Sequence, residues 1–157
     1  MDRRELFGVL GAGAVGLTAL AGGTAHAQAQ DGRHPHHHDP EHGDCLKACL
    51  HAAEVCNETF HYSFAHLKDG HTEHAKVAEL TIDCQDFCTL SATLLARESS
   101  LVAFACMACA EACKACAAEC MKHDDKQMKE CVEACLVCEK TCRAMAERSK
   151  DGKLPVK

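Results

Sequence analysis

The chain has no tryptophan, one tyrosine and three prolines in 157 residues. With aromatic residues at 4 %, a core built on large rings is excluded. Pro35 and Pro40 both fall in one early segment, so little interrupts helices in the rest, and helices joined by short turns are expected. The 17 Lys and Arg against 23 Asp and Glu give a formal charge of -6, which leaves no basic footprint for nucleic acid. There is no Gly-rich phosphate loop, no serine in a nucleophile context and no histidine paired with one special cysteine, so no enzyme chemistry is indicated. The length is that of one small domain.

Sulfur and imidazole are abundant instead, with fourteen Cys and twelve His. Cysteine at this density in a short exported chain ordinarily marks a disulfide scaffold, but the spacing argues otherwise. Cys106 to Cys120 reads CMACAEACKACAAEC, with cysteines at i, i+3, i+7, i+10 and i+14. Residues three and four apart share one face of a helix, so this is a helix with a stripe of thiols where leucine would ordinarily lie.

The amino terminus, MDRRELFGVLGAGAVGLTALAGGTAHA, resembles a twin-arginine export signal. Arg3 and Arg4 precede a Gly-diluted, moderately apolar run, and Ala25-His26-Ala27 forms an A-x-A cleavage site. Residues 1–27 are therefore expected to be removed, leaving a periplasmic protein with no membrane attachment and with every cysteine retained. Residues 28–43 carry His34, His36, His37, His38 and His42 with two prolines and no apolar run. They read as a flexible linker whose imidazoles offer weak metal capture.

From Asp44 to Arg148 the pattern is helical. Asp44 is the expected cap of a first helix, stopped by Lys68-Asp69-Gly70. Thr72 opens a second, Ser99-Ser100 separates a third, and His123-Asp124-Asp125 precedes a fourth starting at Lys126. Four helices of similar length with short connections predict an all-α, up-down-up-down bundle, and residues 149–157 form a tail. Cys45, Cys49 and Cys56 lie on the first helix, Cys84 and Cys88 on the second, Cys106, Cys109, Cys113, Cys116 and Cys120 on the third, and Cys131, Cys135, Cys138 and Cys142 on the fourth. All fall on the inward stripe of their own helix. Cys56 alone lacks a thiol three or four residues away, because Ala52 occupies that seam position.

Fourteen small side chains bury little apolar area, so packing does not explain them. Helical neighbours are poorly directed for disulfides. Thiolates select Cu(I), Zn(II) or iron-sulfur clusters, and two sulfurs on adjacent turns can clasp an ion that accepts low coordination, as Cu(I) does. Zinc prefers closed tetrahedral sets, and the iron-sulfur run C-x2-C-x2-C-x3-C-P is not matched. A disulfide-bonded bundle and an iron-sulfur or zinc thiolate protein stand as the alternatives to a copper store. Charge sets the expected loading. If each ion took two private thiolates, about seven Cu(I) would leave the core about seven charges negative, whereas shared thiolates and about one ion per cysteine leave it near neutral.

The Cys-x2-Cys and Cys-x3-Cys pairs on four helices, behind a twin-arginine-like signal, closely resemble those of the bacterial copper storage proteins. The resemblance covers about Asp44 to Arg148. It implies a homo-oligomer, a tetramer of bundles each holding many Cu(I) ions, with copper kept for supply to copper-accepting proteins or for detoxification. It also implies histidine and methionine guiding entry at one open end. In an up-down-up-down bundle one end gathers His66, His74, His123 and Met128, and of these His66, His123 and Met128 are the expected entry residues. Met128 continues the thiol stripe, while His61 and Met121 point outward. Met145 continues the stripe at the opposite end as filler.

Overall fold

A computed structural model describes residues 39–150, the last two by backbone alone. The signal, most of the linker with His34, His36, His37 and His38, and the tail from residue 151 lie outside the described residues. Four helices follow one another: α1 Pro40–Lys68, α2 Ala75–Ala96, α3 Val102–Cys120 and α4 Lys126–Lys150, with a short 3-10 turn at Thr72–His74 leading into α2. Each packs against its two neighbours round the bundle, α1 on α2 and α4, and α3 on α2 and α4. This is the expected antiparallel four-helix bundle.

The first helix starts earlier than the capping pattern suggested. Asp39, not Asp44, is the N-cap, its carboxylate accepting from the Glu41 N–H at 3.2 Å, and Pro40 fills the first helical position. Proline there needs no hydrogen bond and has the helical φ already set, so the residue that read as linker is a helix opener. Arg148 near the end of α4 holds Asp39 and Glu41 in ion pairs. His42 is consequently a buried residue of α1 and not part of a linker.

The turns follow from local hydrogen bonding. After α1, Gly70 takes φ 93°. The His71 N–H reaches the His66 carbonyl at 3.0 Å and the Gly70 N–H reaches that of Leu67 at 3.1 Å, the pair of bonds that defines a Schellman stop. The α2 end repeats it without glycine: Ser99 donates to Leu94 and Glu98 to Leu95, with Glu98 at φ 49°. A glutamate in the glycine position is why this break carried so weak a signal. Asp125 caps α4, accepting from the Met128 N–H at 3.0 Å.

All fourteen cysteines are fully buried and free of disulfides. The larger apolar residues sit at the ends of the stripe. Leu95, Val102 and Met145 close one end, and Val77 and Met128 lie toward the other. Ala52 takes the inward position between Cys49 and Cys56, and Thr59, Thr81 and Ser91 continue the inward stripes of α1 and α2 beyond their thiols. The Thr59 and Thr81 hydroxyls donate back to the Val55 and Val77 carbonyls at 2.7 and 2.8 Å, which satisfies them inside the helix. Among the described residues no helix is long and apolar enough to cross a membrane.

Candidate metal centre

The inward stripes of antiparallel helices bring thiols from distant parts of the chain face to face. Within one helix, four of the six pairs of sulfurs four residues apart lie at 3.9–4.0 Å: Cys84 to Cys88, Cys109 to Cys113, Cys131 to Cys135 and Cys138 to Cys142. Several pairs between helices are closer. Cys49 and Cys142 approach to 3.4 Å, Cys88 and Cys109 to 3.5 Å, and Cys84 and Cys113 to 3.6 Å. The clasp expected within one helix is therefore joined by cross-helix clasps at least as tight.

Five sets of sulfurs converge closely enough to hold an ion: Cys45/Cys106/Cys142, Cys49/Cys109/Cys138/Cys142, Cys88/Cys109/Cys113/Cys138, Cys84/Cys113/Cys135 and Cys56/Cys116/Cys131/Cys135. Taken in that order, each set shares at least one sulfur with the next, Cys142, Cys109 with Cys138, Cys113, and Cys135 in turn. The interior is thus one connected strip, not a row of separate cages. Cys56, which has no partner along its own helix, meets Cys135 of α4 at 3.7 Å. Cys120 belongs to none of the five sets and stands at the end of the stripe, its thiol pushed up by Cys116 and Cys131 and by burial.

Ionisation in such a strip is unequal. Cys84 and Cys109 are held below the ordinary thiol range, in each case first by hydrogen bonding from Cys113, and Cys131 is held below it first by Cys116. Their neighbours move the other way: Cys113 is raised first through Cys109, and Cys56 first through Cys116, with burial adding to both. The physical cause is the same in each set. One thiolate is solvated by the S–H groups around it, and a second beside it would place two buried like charges together. A monovalent cation removes that conflict.

At one end the strip meets a group of histidines. The His66 and His74 rings stack with centroids 4.6 Å apart, and His74 stacks on His123 at 4.9 Å. Tyr62 packs on His66 at 4.4 Å, and His71 lies 5.4 Å from His66. His66 and His123 are half-buried, while His74 is only 7 % exposed and its Nδ1 has no hydrogen-bond partner. Burial, then the charges of His66 and His123, lower its pKa, so it is kept as a neutral donor. Met128 is wholly buried, one turn before Cys131 on α4. His61 and Met121 are exposed, as expected. His66 and His123 therefore meet on either side of His74, with Met128 at the same end; of this group the sequence singled out the edges and passed over the centre. His74 sits on the 3-10 turn, yet it continues backward the three-four repeat of buried residues Val77, Thr81, Cys84 and Cys88. That register, together with its place at the same end of the bundle, was the signal that could have found it.

At the other end Leu95, Val102 and Met145 are buried together with the last thiols, and Met145 is 1 % exposed, in keeping with its role as filler.

A helical bundle whose interior is a connected strip of free thiols is by its chemistry a container for soft metal ions. The family model for copper storage proteins matches residues 37–147, and the chain belongs to that family; it stores copper. Solved structures agree. The apo copper storage protein 3 from Bacillus subtilis is 32% identical, with a TM-score of 0.60 over 66% of this chain and 97% of that one. A Cu(I)-bound copper storage protein, BsCsp3, is 30% identical, with a TM-score of 0.61 over 68% and 98%. The copper storage protein of Streptomyces lividans loaded with 10 copper equivalents is 26% identical, with a TM-score of 0.63 over 68% and 84%. No curated protein matches the chain by sequence.

Proposed function

We propose that the fourteen cysteines are the ligands of the store, that the copper is held as Cu(I), and that it passes in and out at the histidine end. The sharing of sulfurs between successive sets carries this reading. Bridging thiolates let charge and ligand number fit a dense chain of monovalent ions, where separate tetrahedral cages would suit zinc. His66, His74, His123 and Met128 bind Cu(I) more weakly than thiolates do, which suits transfer and not retention. Anaerobic titration with Cu(I) tests the assignment: saturation is expected well above about seven ions per chain, by the charge argument. A plateau at one or two ions would sink it. The loaded protein should absorb in the ultraviolet only, whereas an iron-sulfur protein would be coloured. A full count of free thiols on the metal-free protein separates the store from a disulfide-bonded bundle.

The place of action follows from Arg3, Arg4 and the Ala25-His26-Ala27 site: export by the twin-arginine route and storage in the periplasm. Assembly into a homo-oligomer is supported by large apolar side chains left exposed on adjoining helices, Phe87 and Leu90 on α2 and Phe104 on α3, the last 75 % exposed. The copper held in this way would serve copper-accepting proteins or keep free copper low.

A further inference from the structure

The order of donors met from the outside inward is nitrogen first and sulfur second. Imidazole accepts Cu(II) readily, while thiolates select Cu(I). His74 is buried to more than nine-tenths with a bare Nδ1, and it stands between His66 and His123 in one stack. The His123 N–H donates to the Cys120 carbonyl at 3.1 Å, so the stack is tied through the backbone to the end of α3 that carries its last cysteine. Just inside, Cys116 and Cys131 face each other at 3.8 Å from α3 and α4, both free. Among the described residues, three or more imidazoles do not converge on one point as the sulfurs do. The rings are therefore arranged to pass an ion on and not to trap it.

We infer that the histidine end also receives oxidised copper, Cu(II), and that the thiols immediately behind it reduce the ion, so that the protein makes part of the Cu(I) it stores. This rests on the reading of the core as a Cu(I) store. The step balances as two Cu(II) and two thiols giving two Cu(I), one disulfide and two protons. The S–H bonds of Cys116 and Cys131 break, an S–S bond forms between them, and each sulfur gives one electron to one copper. The protons leave to solvent past the histidines. The Cu(I) moves inward to the remaining thiolates, and each such event withdraws two of the fourteen thiols from storage until a reductant restores them.

The test uses reduced, metal-free protein under anaerobic conditions with no added reductant, given two equivalents of a Cu(II) salt. The Cu(II) electron paramagnetic resonance signal should disappear, a Cu(I)-specific chelator should recover both ions after denaturation, and thiol titration should fall by one per copper. Peptide mapping should place the disulfide between Cys116 and Cys131. Samples frozen early should show nitrogen coupling to Cu(II). In the triple variant His66→Ala, His74→Ala, His123→Ala that coupling should fall to what the His-rich segment before Asp39 gives alone, and reduction should slow by about tenfold or more. A Cu(II) signal that persists with all thiols intact would overturn the inference, as would an unchanged rate and spectrum in the triple variant. A parallel titration with Cu(I) separates the two readings: protein that takes up Cu(I) but leaves Cu(II) unreduced keeps the store and loses this activity.

Discussion

The two ends of the bundle are built from the same four helices and the same thiol stripe, yet they finish differently. One end is closed by Leu95, Val102 and Met145, all buried. The other finishes in Met128, the stacked rings of His66, His74 and His123, and buried Nδ1 and Oγ atoms on His74 and Ser63 that have no hydrogen-bond partner. Leaving a buried polar atom unpaired costs about 1–3 kcal/mol per group, and Ser91 Oγ, one turn before Leu95, carries the same cost toward the other end. What sets the histidine end apart is its stack of imidazoles. The proposed route gives traffic to the histidine end and leaves packing to the apolar one, with the strip of sulfur common to both.

The sharpest way to break this comparison is to remove the common part. Changing Cys109, Cys113, Cys135 and Cys138 together to serine keeps the side-chain size but replaces soft donors by hard ones. These four supply most of the sulfurs that link one set to the next, so Cu(I) capacity should fall by about four ions or more while the rate of the first uptake is largely kept. Metal analysis after anaerobic loading checks the first, and stopped-flow transfer from a Cu(I) chelator the second.

The ends themselves can then be set against each other. His66→Ala, His123→Ala and Met128→Ala together should slow Cu(I) uptake and release about tenfold or more with the final capacity unchanged. Met145→Ala at the apolar end should do the opposite, leaving the rates alone and costing about 2–5 kcal/mol of folding stability, as read by denaturant unfolding of the metal-free protein. Unchanged rates with reduced capacity in the triple variant would place the mouth elsewhere.

The smallest effect concerns acid. Arg148 beside Asp39 holds that carboxyl below its usual 3.8. The pair's contribution is then fully present above the unfolded value and lost as pH falls through the lower folded one. The pair is partly exposed to solvent, so the loss is modest. Arg148→Ala should remove this acid-dependent component below about pH 4, seen as a flatter dependence of thermal midpoint on pH.

Much of this was legible from spacing. A three-four repeat of cysteine fixes which face of each helix turns inward, because helical geometry alone puts those residues on one side. The stops at Gly70 and before Lys126 follow from turn chemistry in the same way. What misled was proline: Pro40 counts against a helix interior but favours a helix start, and only Asp39 with Arg148 across the bundle shows which applies. Glu98 gave no stop signal because a left-handed glutamate is a choice the surrounding fold imposes.

The sequence by itself determined that four helices would bury a stripe of thiols, since period and residue type are properties of each segment alone. The tertiary structure decided which sulfurs meet. Cys56 found Cys135 79 residues away, Cys49 found Cys142 93 residues away, and His74 came to lie between two histidines of other segments. Those distances depend on the relative rotation and height of whole helices, set by packing between them, and no local pattern in a single helix records it.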